Sequence, residues 1–540
     1  MDKMALRFVK NVRVCSLLMV VMVTLSKDKS ASAAKILVVP EEGSHWLNIK
    51  ILFMELIGRG HEVTVLRKSN AIYIEESYED FAVETVQMPR IESLSKEFVE
   101  KQAMEYIFSF AFAREMKPFG AFWHLFSGIR YATMSQSLAL KHLFEDQSLL
   151  ERLRTKGFQL VLADPYYAAG VMLAKYLNLP VVFFGRWMPT EDIHFAIAPN
   201  PLSYVPVLNS RLTDKMTFSD RLTNVFLYNV GRILSKFWAY AAYDELCRIY
   251  LKTDESLYDL YKKADIYLMK VDFTFEFPRP VMPNAVYIGG FQCRPPSPLP
   301  LELQEFMDSS GEDGVVLFSL GTLVKTLPYN VAEQVASGLA QLPQKVIWRY
   351  IGDVPSTLGN NTKLMSWFPQ NDLLSHPKTK AFISHGGENG VYEAIYHGVP
   401  IIGFPLFGDQ YENILRLKAR GAAFLLDNLP SLSGEDIYRA VKTVIEDPSY
   451  RESMQYLSAL HRDVLVLPNE LAVFWIEFVI RHKGAAHLQA AGNELPFYVY
   501  HCLDILVFLF TAVALLFFIL VLMLKLIIRK IFLKTKKKKD

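Results

Sequence analysis

The stretch that decides the fold runs from Trp367 to Gln410 and reads WFPQNDLLSHPKTKAFISHGGENGVYEAIYHGVPIIGFPLFGDQ. Within it, residues 380–384 are a short buried-strand candidate, two glycines follow, and the apolar residues of 389–397 have helical spacing. A second apolar segment, residues 400–406, comes next. The pattern predicts a strand, a glycine turn, a helix and a further strand.

The turn between this strand and helix has the features of an anion site. Its free backbone N–H groups and the positive end of the helix dipole favour a phosphate, and His385 and Asn389 add side-chain donors. Glu393, one turn into the helix, can accept hydrogen bonds from a ribose diol, and Trp367 offers a flat face to a base. An ordinary turn with a structural histidine explains any one of these residues, but not all of them in this order.

Asp409 and Gln410 follow residues 400–406, at the carboxyl end of a strand, where open α/β sheets bind their ligands. Each part of a nucleotide sugar thus has a candidate partner. The stretch closely resembles the signature of the UDP-glycosyltransferases, the superfamily that includes the animal UDP-glucuronosyltransferases. The resemblance covers residues 34–533. Within the superfamily, a fish-type branch is one assignment for the chain. It implies an α/β fold of two facing Rossmann-like domains, the GT-B type of glycosyltransferase.

The resemblance also assigns donor contacts to individual residues. Trp367 would stack on uracil, Gln370 would contact the nucleoside, and Glu393 would bind the ribose. The residues assigned to the diphosphate are Ser319, Thr322, His385 and Asn389, and those assigned to the sugar hydroxyls are Asp409 and Gln410. Gly387 is also assigned to the donor site.

Length and composition bound the rest of the interpretation. A chain of 540 residues is too long for one core and predicts two domains of roughly 200 to 250 residues each. Its 58 basic and 56 acidic residues are balanced, so no charge bias indicates a nucleic-acid partner. We predict an acceptor-binding domain over residues 34–290, a proline-rich linker over 291–300 and a UDP-sugar-binding domain over 301–490.

The start of the amino-terminal half predicts a βαβ unit, with strands at 35–39 and 62–66 and a helix from about Leu47 to Arg59. His45 lies in the first loop. The dipole at a helix start keeps a nearby histidine neutral, and a neutral imidazole can act as a general base. A structural loop histidine is the alternative.

Asp164 follows a second apolar strand candidate, residues 160–163. In a parallel sheet it emerges on the same edge as His45, where a carboxylate can orient the imidazole; a helix-capping aspartate is the alternative. Both positions match the catalytic base and its partner in the resembled family. The resemblance implies that His45, oriented by Asp164, deprotonates an acceptor hydroxyl, which attacks UDP-α-sugar with inversion.

The resemblance implies UDP-sugar as co-substrate, and because the chain contains no Asp-x-Asp pair we expect neither a metal nor another cofactor. In the family the amino-terminal half selects the acceptor, expected here to be a small lipophilic molecule such as a phenol, steroid or xenobiotic. The aromatic stretches 119–131 and 225–243 line its pocket, lie against the membrane or belong to the core.

Two residues depart from the resembled pattern. Lys270 stands where many glucuronosyltransferases carry arginine, and Glu388 replaces a small residue beside the expected diphosphate. Three hypotheses therefore stay open. They are glucuronosyl transfer, glucosyl or galactosyl transfer to a lipid or small molecule, and a catalytically silent partner of an active relative.

Both ends of the chain indicate a membrane protein of the secretory pathway. Residues 1–33 have a basic start, an apolar run and a small-residue cleavage site, which predict a signal peptide rather than a retained anchor. Residues 505–524 carry no charge and match a transmembrane helix, and the basic tail 525–540 predicts a single-pass type I protein with luminal catalytic domains. Residues 537–540 predict a dilysine endoplasmic-reticulum signal or a plain stop-transfer flank.

Smaller features leave their questions open. Cys15 lies in the predicted signal peptide and Cys502 at the membrane edge, which leaves Cys247 and Cys293 as the luminal pair, and these two are either bridged or free. Asn360-Asn361-Thr362 is an acceptor sequence for N-glycosylation. Homo- or hetero-oligomers with related transferases are compatible with the sequence.

Overall fold

The computed structural model describes residues 33–89, 96–112, 118–189, 191–427, 429 and 431–536. Apart from residue 33, the predicted signal peptide lies outside the described residues, and the predicted dilysine signal, 537–540, lies wholly outside them. The chain divides into two compact units, one up to Leu488 and the other from Gln489 onward.

The amino-terminal half of the first unit contains a sheet of seven strands: β1 Lys35–Val39, β2 Glu62–Lys68, β3 Ala82–Val86, β4 Leu160–Ala163, β5 Val181–Gly185, β6 Ile266–Met269 and β7 Ala285–Tyr287. All pairings are parallel, and the order is β3-β2-β1-β4-β5-β6-β7. The direction of winding reverses between β1 and β4. The carboxyl ends of these two strands are therefore the topological switch point.

The helices of this half are α1 Ser44–Gly58, α2 Lys96–Phe112, α3 Pro118–Glu145, α4 Gln147–Thr155, α5 Ala169–Leu177, α6 His194–Ile197, α7 Phe218–Leu234, α8 Ala241–Leu246 and α9 Leu257–Lys262. Helix α1 packs on one face of the sheet, and α3, α4, α5, α8 and α9 pack on the other. Alternate residues of β1 enter different cores: Leu37 and Val39 pack in one apolar cluster, and Ile36 and Val38 in another. This is the arrangement of a parallel sheet buried on both sides.

The second half of this unit contains six strands: β8 Val315–Ser319, β9 Lys345–Arg349, β10 Thr362–Met365, β11 Thr379–Ser384, β12 Ile401–Gly403 and β13 Ala423–Leu425. They are also parallel, in the order β10-β9-β8-β11-β12-β13. Here the switch point lies between β8 and β11. The strands thus form two Rossmann-like α/β domains, which is the predicted fold class.

The helices of this half are α10 Leu301–Asp308, α11 Tyr329–Leu339, α12 Gln370–Ser375, α13 Glu388–His397, α14 Gln410–Ala419, α15 Gly434–Glu446, α16 Pro448–Arg462 and α17 Pro468–His482. Helix α17 returns to the first domain. Its residues Val473, Ile476 and Val479 share the apolar cluster that contains Ile36 and Val38 of β1. The last helix of the unit thus ties the chain back to its first strand.

The second unit contains the short helix α18 Phe497–Tyr500 and the long helix α19 Leu503–Lys536. In α19, residues Leu503–Leu533 contain an 18-residue window with a mean hydropathy of 3.2, and the segment is long and apolar enough to cross a membrane. Within the described part of the chain this is the one helix that qualifies by length and composition. It extends beyond both ends of the predicted span 505–524.

Two of the open questions have structural answers. Cys247 and Cys293 are free, so no bridge joins them. Asn360, the acceptor residue of the glycosylation sequence, is exposed in the turn before β10. This is a position that a glycan can occupy without disturbing the core.

Candidate active site

His45 and Asp164 meet at the switch point of the first sheet. His45 follows β1, Asp164 follows β4, and the last residues of these strands, Val39 and Ala163, are paired. The imidazole Nδ1 lies 2.6 Å from Asp164 Oδ2. The other carboxylate oxygen accepts a hydrogen bond from the backbone N–H of Tyr166 at 2.8 Å. The side chain of Asp164 is 2% exposed and that of His45 is 30% exposed, so the imidazole is fixed on one side and accessible on the other.

Helix α1 begins at Ser44, earlier than the predicted Leu47, so His45 lies in its first turn and not in the preceding loop. Gly43 precedes the helix with φ at 68°, in the left-handed region that favours glycine. This residue makes the sharp change of direction from strand to helix. It allows the helix to begin immediately at the sheet edge.

The pKa of His45 differs in direction from the prediction. Burial lowers the pKa of His45, but the charge and hydrogen bond of Asp164 raise it, and the result lies above the ordinary histidine value. The expectation that the pKa of this histidine is kept low is therefore wrong, because the carboxylate outweighs burial. A raised pKa makes the neutral imidazole a stronger base, which suits a general base.

His385 occupies a slot between two glycines at the switch point of the second sheet. A Cβ atom on Gly387 would lie 2.3 Å from His385 Nε2, and one on Gly321 would lie 2.4 Å from it, so the ring fits only beside glycine. The buried Nδ1 atom has no hydrogen-bond partner among the described residues. Burial lowers the pKa of His385 to about 4. A neutral imidazole with an unused nitrogen therefore lies at the amino end of α13.

The turn after β8 is held by Arg349, a residue that sequence reasoning missed. Ser319 Oγ accepts a hydrogen bond from the Gly321 backbone N–H at 3.3 Å, and Thr322 lies half-buried in the same turn. Arg349 donates to the Gly321 carbonyl, and the centre of its guanidinium lies 4.9 Å from the Trp367 ring centroid. Trp367 is 61% exposed, so this ring has surface left on which a base can stack.

Gln370 and Glu393 form a pair beside this tryptophan. Gln370 Nε2 donates to Glu393 Oε2 at 2.6 Å. Burial raises the pKa of Glu393 to about 7, and the hydrogen bond from Gln370 opposes the shift. Near neutral pH this carboxyl group changes between an acceptor of two hydroxyl groups and a protonated acid.

Asn389, in the first turn of α13, contacts the opposite domain. Its side-chain amide exchanges two hydrogen bonds with that of Asn48 on α1, each 2.9 Å long. The pair joins the two helices that begin at the two switch points. Both amide atoms of Asn389 are engaged in this contact.

Asp409 and Gln410 lie at the start of α14 and have different surroundings. Asp409 Oδ2 accepts hydrogen bonds from Trp187 Nε1 at 3.2 Å and from Asn413 Nδ2 at 2.9 Å. Gln410 is buried, and its side-chain oxygen accepts from the backbone N–H groups of Leu406 and Phe407. Asp409 is half-buried at the cleft, whereas the Gln410 oxygen holds the preceding loop.

The two residues that depart from the resembled pattern contact each other. Lys270 follows β6 and Glu388 is the first residue of α13. The distance from Lys270 Nζ to Glu388 Oε2 is 3.1 Å, and their side chains are 7% and 13% exposed. The pair is a second polar contact between the domains, beside that of Asn48 and Asn389.

The model for the family described as "UDP-glucoronosyl and UDP-glucosyl transferase" matches residues 34–539. The chain belongs to this family. It is 42% identical over 486 residues to UDP-glucuronosyltransferase 2A2 of Mus musculus, covering 89% of this chain and 91% of that protein. It is 40% identical over 521 residues to UDP-glucuronosyltransferase 2B15 of Homo sapiens, covering 94% and 96%. The predicted membership is confirmed, and the chain is a UDP-sugar-dependent glycosyltransferase.

Solved structures agree with this transferase in fold. A UDP-glucosyltransferase from Polygonum tinctorium superposes with a TM-score of 0.57 at 15% identity, covering 84% of this chain and 99% of that one. The calicheamicin glycosyltransferase CalG4 gives 0.55 at 18% identity, covering 83% and 99%. At such identities the comparison concerns the fold alone, and it confirms the predicted arrangement of two Rossmann-like domains.

A buried ion network joins the two domains of the transferase away from the dyad. Arg186, after β5, donates to Glu276, and Arg416 of α14 donates to the other oxygen of Glu276 at 2.7 Å. Burial raises the pKa of Glu276, but the two arginines lower it to a net value of about 2. Nearby, His461 Nδ1 lies 2.5 Å from Asp272 Oδ2. These contacts link the two domains through buried charged side chains.

The residues that sequence reasoning missed are Asn48, Trp187, Arg349 and the arginines of the ion network. None of them lies in a motif, and each acts by reaching a residue far away in the chain. The described residues contain no group of three or more histidine, cysteine or acidic side chains arranged to hold a metal ion.

Proposed function

We propose that this transferase moves glucuronic acid from UDP-glucuronate to a hydroxyl group of small lipophilic acceptors such as phenols, steroids and xenobiotics, with inversion at the anomeric carbon. The observation that carries the proposal is the 2.6 Å contact between His45 Nδ1 and the buried Asp164 carboxylate. Similarity to UDP-glucuronosyltransferases over 89% of the chain supports the choice of donor.

His45 acts as the general base. Its Nδ1–H donates to Asp164, which leaves Nε2 free to take the proton of an acceptor hydroxyl. As the proton moves, the acceptor oxygen attacks the anomeric carbon and the bond from that carbon to the β-phosphate oxygen breaks, with its electron pair leaving on UDP. Asp164 stabilises the imidazolium that forms.

The charge that develops on UDP is stabilised at the second switch point. The backbone N–H groups at the start of α13 point to this region, and Gly387 leaves the approach open because it has no side chain. His385 offers its unused ring nitrogen, and the turn containing Ser319 and Thr322 offers hydroxyl groups. Asn389 becomes a further donor when a phosphate oxygen replaces Asn48 as its hydrogen-bond partner.

The rest of the donor follows the edge of the second sheet. Uracil stacks on the exposed face of Trp367, Gln370 contacts the nucleoside, and the Glu393 carboxylate accepts hydrogen bonds from the ribose hydroxyls. The sugar hydroxyls donate to Asp409, and the Gln410 side chain holds the loop beside it. No metal is needed in this scheme, because neutral donors and the helix dipole receive the diphosphate.

A lipophilic acceptor enters next to His45. The Tyr166 ring lies 6.0 Å from the imidazole, centroid to centroid, and provides an aromatic wall. We also propose that residues 1–33 are removed as a signal peptide, that α19 spans the endoplasmic-reticulum membrane, and that the catalytic domains are luminal. Homo- or hetero-oligomers with related transferases fit this location.

A second candidate is glucosyl or galactosyl transfer from the same site. The observation that favours it is the Lys270–Glu388 contact, because an acidic side chain at the cleft is unfavourable for a donor with a carboxylate on its sugar.

The test is a donor screen on membranes that contain the full chain or its His45→Ala variant. Phenols and steroids are offered with UDP-glucuronate, UDP-glucose, UDP-galactose or UDP-N-acetylglucosamine. Transfer from UDP-glucuronate that is lost in the variant, with UDP binding retained, is the expected result. Transfer from a neutral-sugar donor alone establishes the second candidate. Absence of transfer from every donor refutes catalysis and favours a silent partner, and full activity of the variant refutes His45 as the base.

A further inference from the structure

Trp187 of the amino-terminal domain contacts a residue of the other domain that we assign to the donor sugar. It lies two residues after β5, and its indole Nε1 donates a hydrogen bond of 3.2 Å to Asp409 Oδ2. The same oxygen accepts a second hydrogen bond from Asn413 Nδ2 at 2.9 Å. Because both bonds go to Oδ2, the other carboxylate oxygen, Oδ1, is left for a ligand.

Asp409 occupies a position where a carboxylate ordinarily binds its own helix. It is the N-cap residue of α14, and an aspartate at this position usually accepts a hydrogen bond from a backbone N–H group of the first helical turn. Asp409 makes no such capping bond and is hydrogen-bonded to Trp187 and Asn413 instead. The side chain therefore has two competing arrangements, one that caps α14 and one that faces the cleft.

Trp187 supplies the part of this contact that comes from outside α14. Asn413 belongs to α14 itself, is fully buried, and also donates to the Gly386 carbonyl at 3.0 Å. The indole is positioned by the preceding residue, because the centre of the Arg186 guanidinium lies 4.5 Å from the centroid of the Trp187 ring. Arg186 is in turn part of the buried ion network between the domains. The indole N–H thus reaches Asp409 from a fixed point on the opposite domain.

The surroundings of Asp409 place its carboxylate near the proposed diphosphate site. Burial lowers the pKa of His385, and the charge of Asp409 is close enough to oppose this shift. We assign His385 to the diphosphate, and the sugar of a UDP-sugar is bonded to that diphosphate. A carboxylate beside His385 is therefore suitably placed for a sugar hydroxyl group.

We propose that Trp187 is a positioning residue for the donor sugar. Its indole N–H keeps the Asp409 carboxylate away from its own helix and presents Oδ1 to a hydroxyl group of the UDP-sugar. This proposal rests on the assignment of Asp409 to the sugar under the proposed function. Because the indole and the carboxylate belong to different domains, tight binding of the sugar requires the domains to be in contact, whereas binding of UDP alone does not depend on this bond.

The test measures how strongly the full chain prefers a UDP-sugar to UDP. Dissociation constants of UDP-glucuronate, UDP-glucose and UDP are obtained by competition with a fluorescent UDP probe, which needs no acceptor and no turnover. In Trp187→Phe the affinity for the better-bound UDP-sugar should fall about tenfold, as expected for loss of a hydrogen bond to a charged group, while the affinity for UDP stays within about twofold. Replacement of Trp187 by benzothienylalanine, which keeps the ring shape but has no N–H, should give the same result.

Initial rates give a second readout that a merely structural role would not produce. The contact between Asp409 and the sugar is made in the ground state and in the transition state alike. In Trp187→Phe the KM for the UDP-sugar should therefore rise about tenfold, with kcat within about twofold of the unaltered enzyme. A fall in kcat with an unchanged KM would contradict the proposal, because it would indicate damage to the catalytic dyad.

Two further variants show whether Trp187 acts through Asp409. Asp409→Asn should itself weaken UDP-sugar binding, and adding Trp187→Phe should cause little further loss, because both changes remove the same contact. Trp475→Phe, the same chemical change in a half-buried residue of α17, should alter none of the constants.

Three results of the binding experiment would overturn the proposal. They are an unchanged preference for UDP-sugar in Trp187→Phe and in the benzothienylalanine variant, an equal loss of affinity for UDP, and fully additive losses in the double variant. An unchanged preference in Asp409→Asn would overturn the sugar assignment itself, and the proposal with it. Because binding is measured without an acceptor, each of these results can be distinguished from failure of the proposed transfer reaction.

Discussion

Replacing Asp164 with asparagine tests the catalytic dyad with the smallest change of shape. Asp164 Oδ1 accepts from the Tyr166 backbone N–H at 2.8 Å, so an asparagine that keeps its oxygen there must turn its NH₂ group toward His45. That group donates and cannot accept, which reverses the tautomer of the imidazole and places its proton on Nε2. The nitrogen that faces the acceptor can then no longer act as a base.

The expected loss follows from the distance between the two groups. A carboxylate and an imidazolium in contact attract each other by about 5 kcal/mol at an effective dielectric constant near 20. His45 is 30% exposed, and solvent screens part of this attraction. We therefore expect the barrier to rise by about 4 kcal/mol, or kcat to fall about 10³-fold.

The pH dependence gives a second, independent result. The reaction needs neutral His45, and the pKa of His45 lies above its ordinary value because Asp164 favours the protonated form despite burial. The rate of the unaltered enzyme should therefore fall as the pH drops through this raised pKa. Without the carboxylate the pKa of His45 falls, so the acid limb of the profile should move to lower pH.

The assay is the initial rate of glucuronide formation as a function of pH, with UDP binding measured in parallel. Asp313→Asn, in an exposed loop before β8, provides a matched control with the same chemical change and should behave as the unaltered enzyme. A rate within tenfold of the unaltered enzyme, or an acid limb that stays in place, would refute the assignment of Asp164 as the partner of the base.

Three further predictions concern the donor site and the domain interface. Gly387→Ala should weaken UDP binding about tenfold or more, because its Cβ would lie 2.3 Å from His385 Nε2. Gly58→Ala, whose Cβ would have no atom within 4 Å, is the control and should leave the UDP affinity measured by calorimetry unchanged. Because burial raises the pKa of Glu393 to about 7, UDP affinity should fall as the pH drops through 7 and the ribose contact is protonated, and Glu393→Gln should remove this pH dependence. Arg186→Met should reduce the free energy of unfolding by about 3 kcal/mol, because Glu276 loses one of two buried partners, while exposed Arg439→Met should cost less than about 1 kcal/mol.

The helices and strands that could be predicted are those that depend on local patterns of apolar residues. Strands expected at 35–39 and 160–163 are β1 and β4 with the same bounds, because each is a continuous apolar run ended by a polar or turn residue. The helix expected at 389–397 is α13, and it begins one residue earlier, at Glu388. Parallel pairing then brings the ends of β1 and β4 together without further information.

What the sequence could not predict are contacts between distant segments. Lys270 and Glu388 each attract notice as departures from a resembled pattern, but no spacing rule indicates that they touch. Asn48 lies on the buried side of an ordinary helix, and Arg349 ends an ordinary strand; their roles appear only when Asn389 and Gly321 lie next to them. Such side chains are positioned by the packing of two domains, which local propensity does not encode.

The polar contacts between the two domains differ in whether a bound donor would replace them. The Arg186–Glu276–Arg416 network is buried and contains none of the proposed donor ligands, so we expect it to persist when the donor binds. Asn389 and Glu388, in contrast, belong to the first turn of α13, where we propose that the diphosphate binds. Under the proposed function, a phosphate oxygen of the donor replaces Asn48 as the partner of Asn389. In this proposal donor binding requires a side-chain exchange at one helix terminus, and we expect the buried network to hold the two domains together meanwhile.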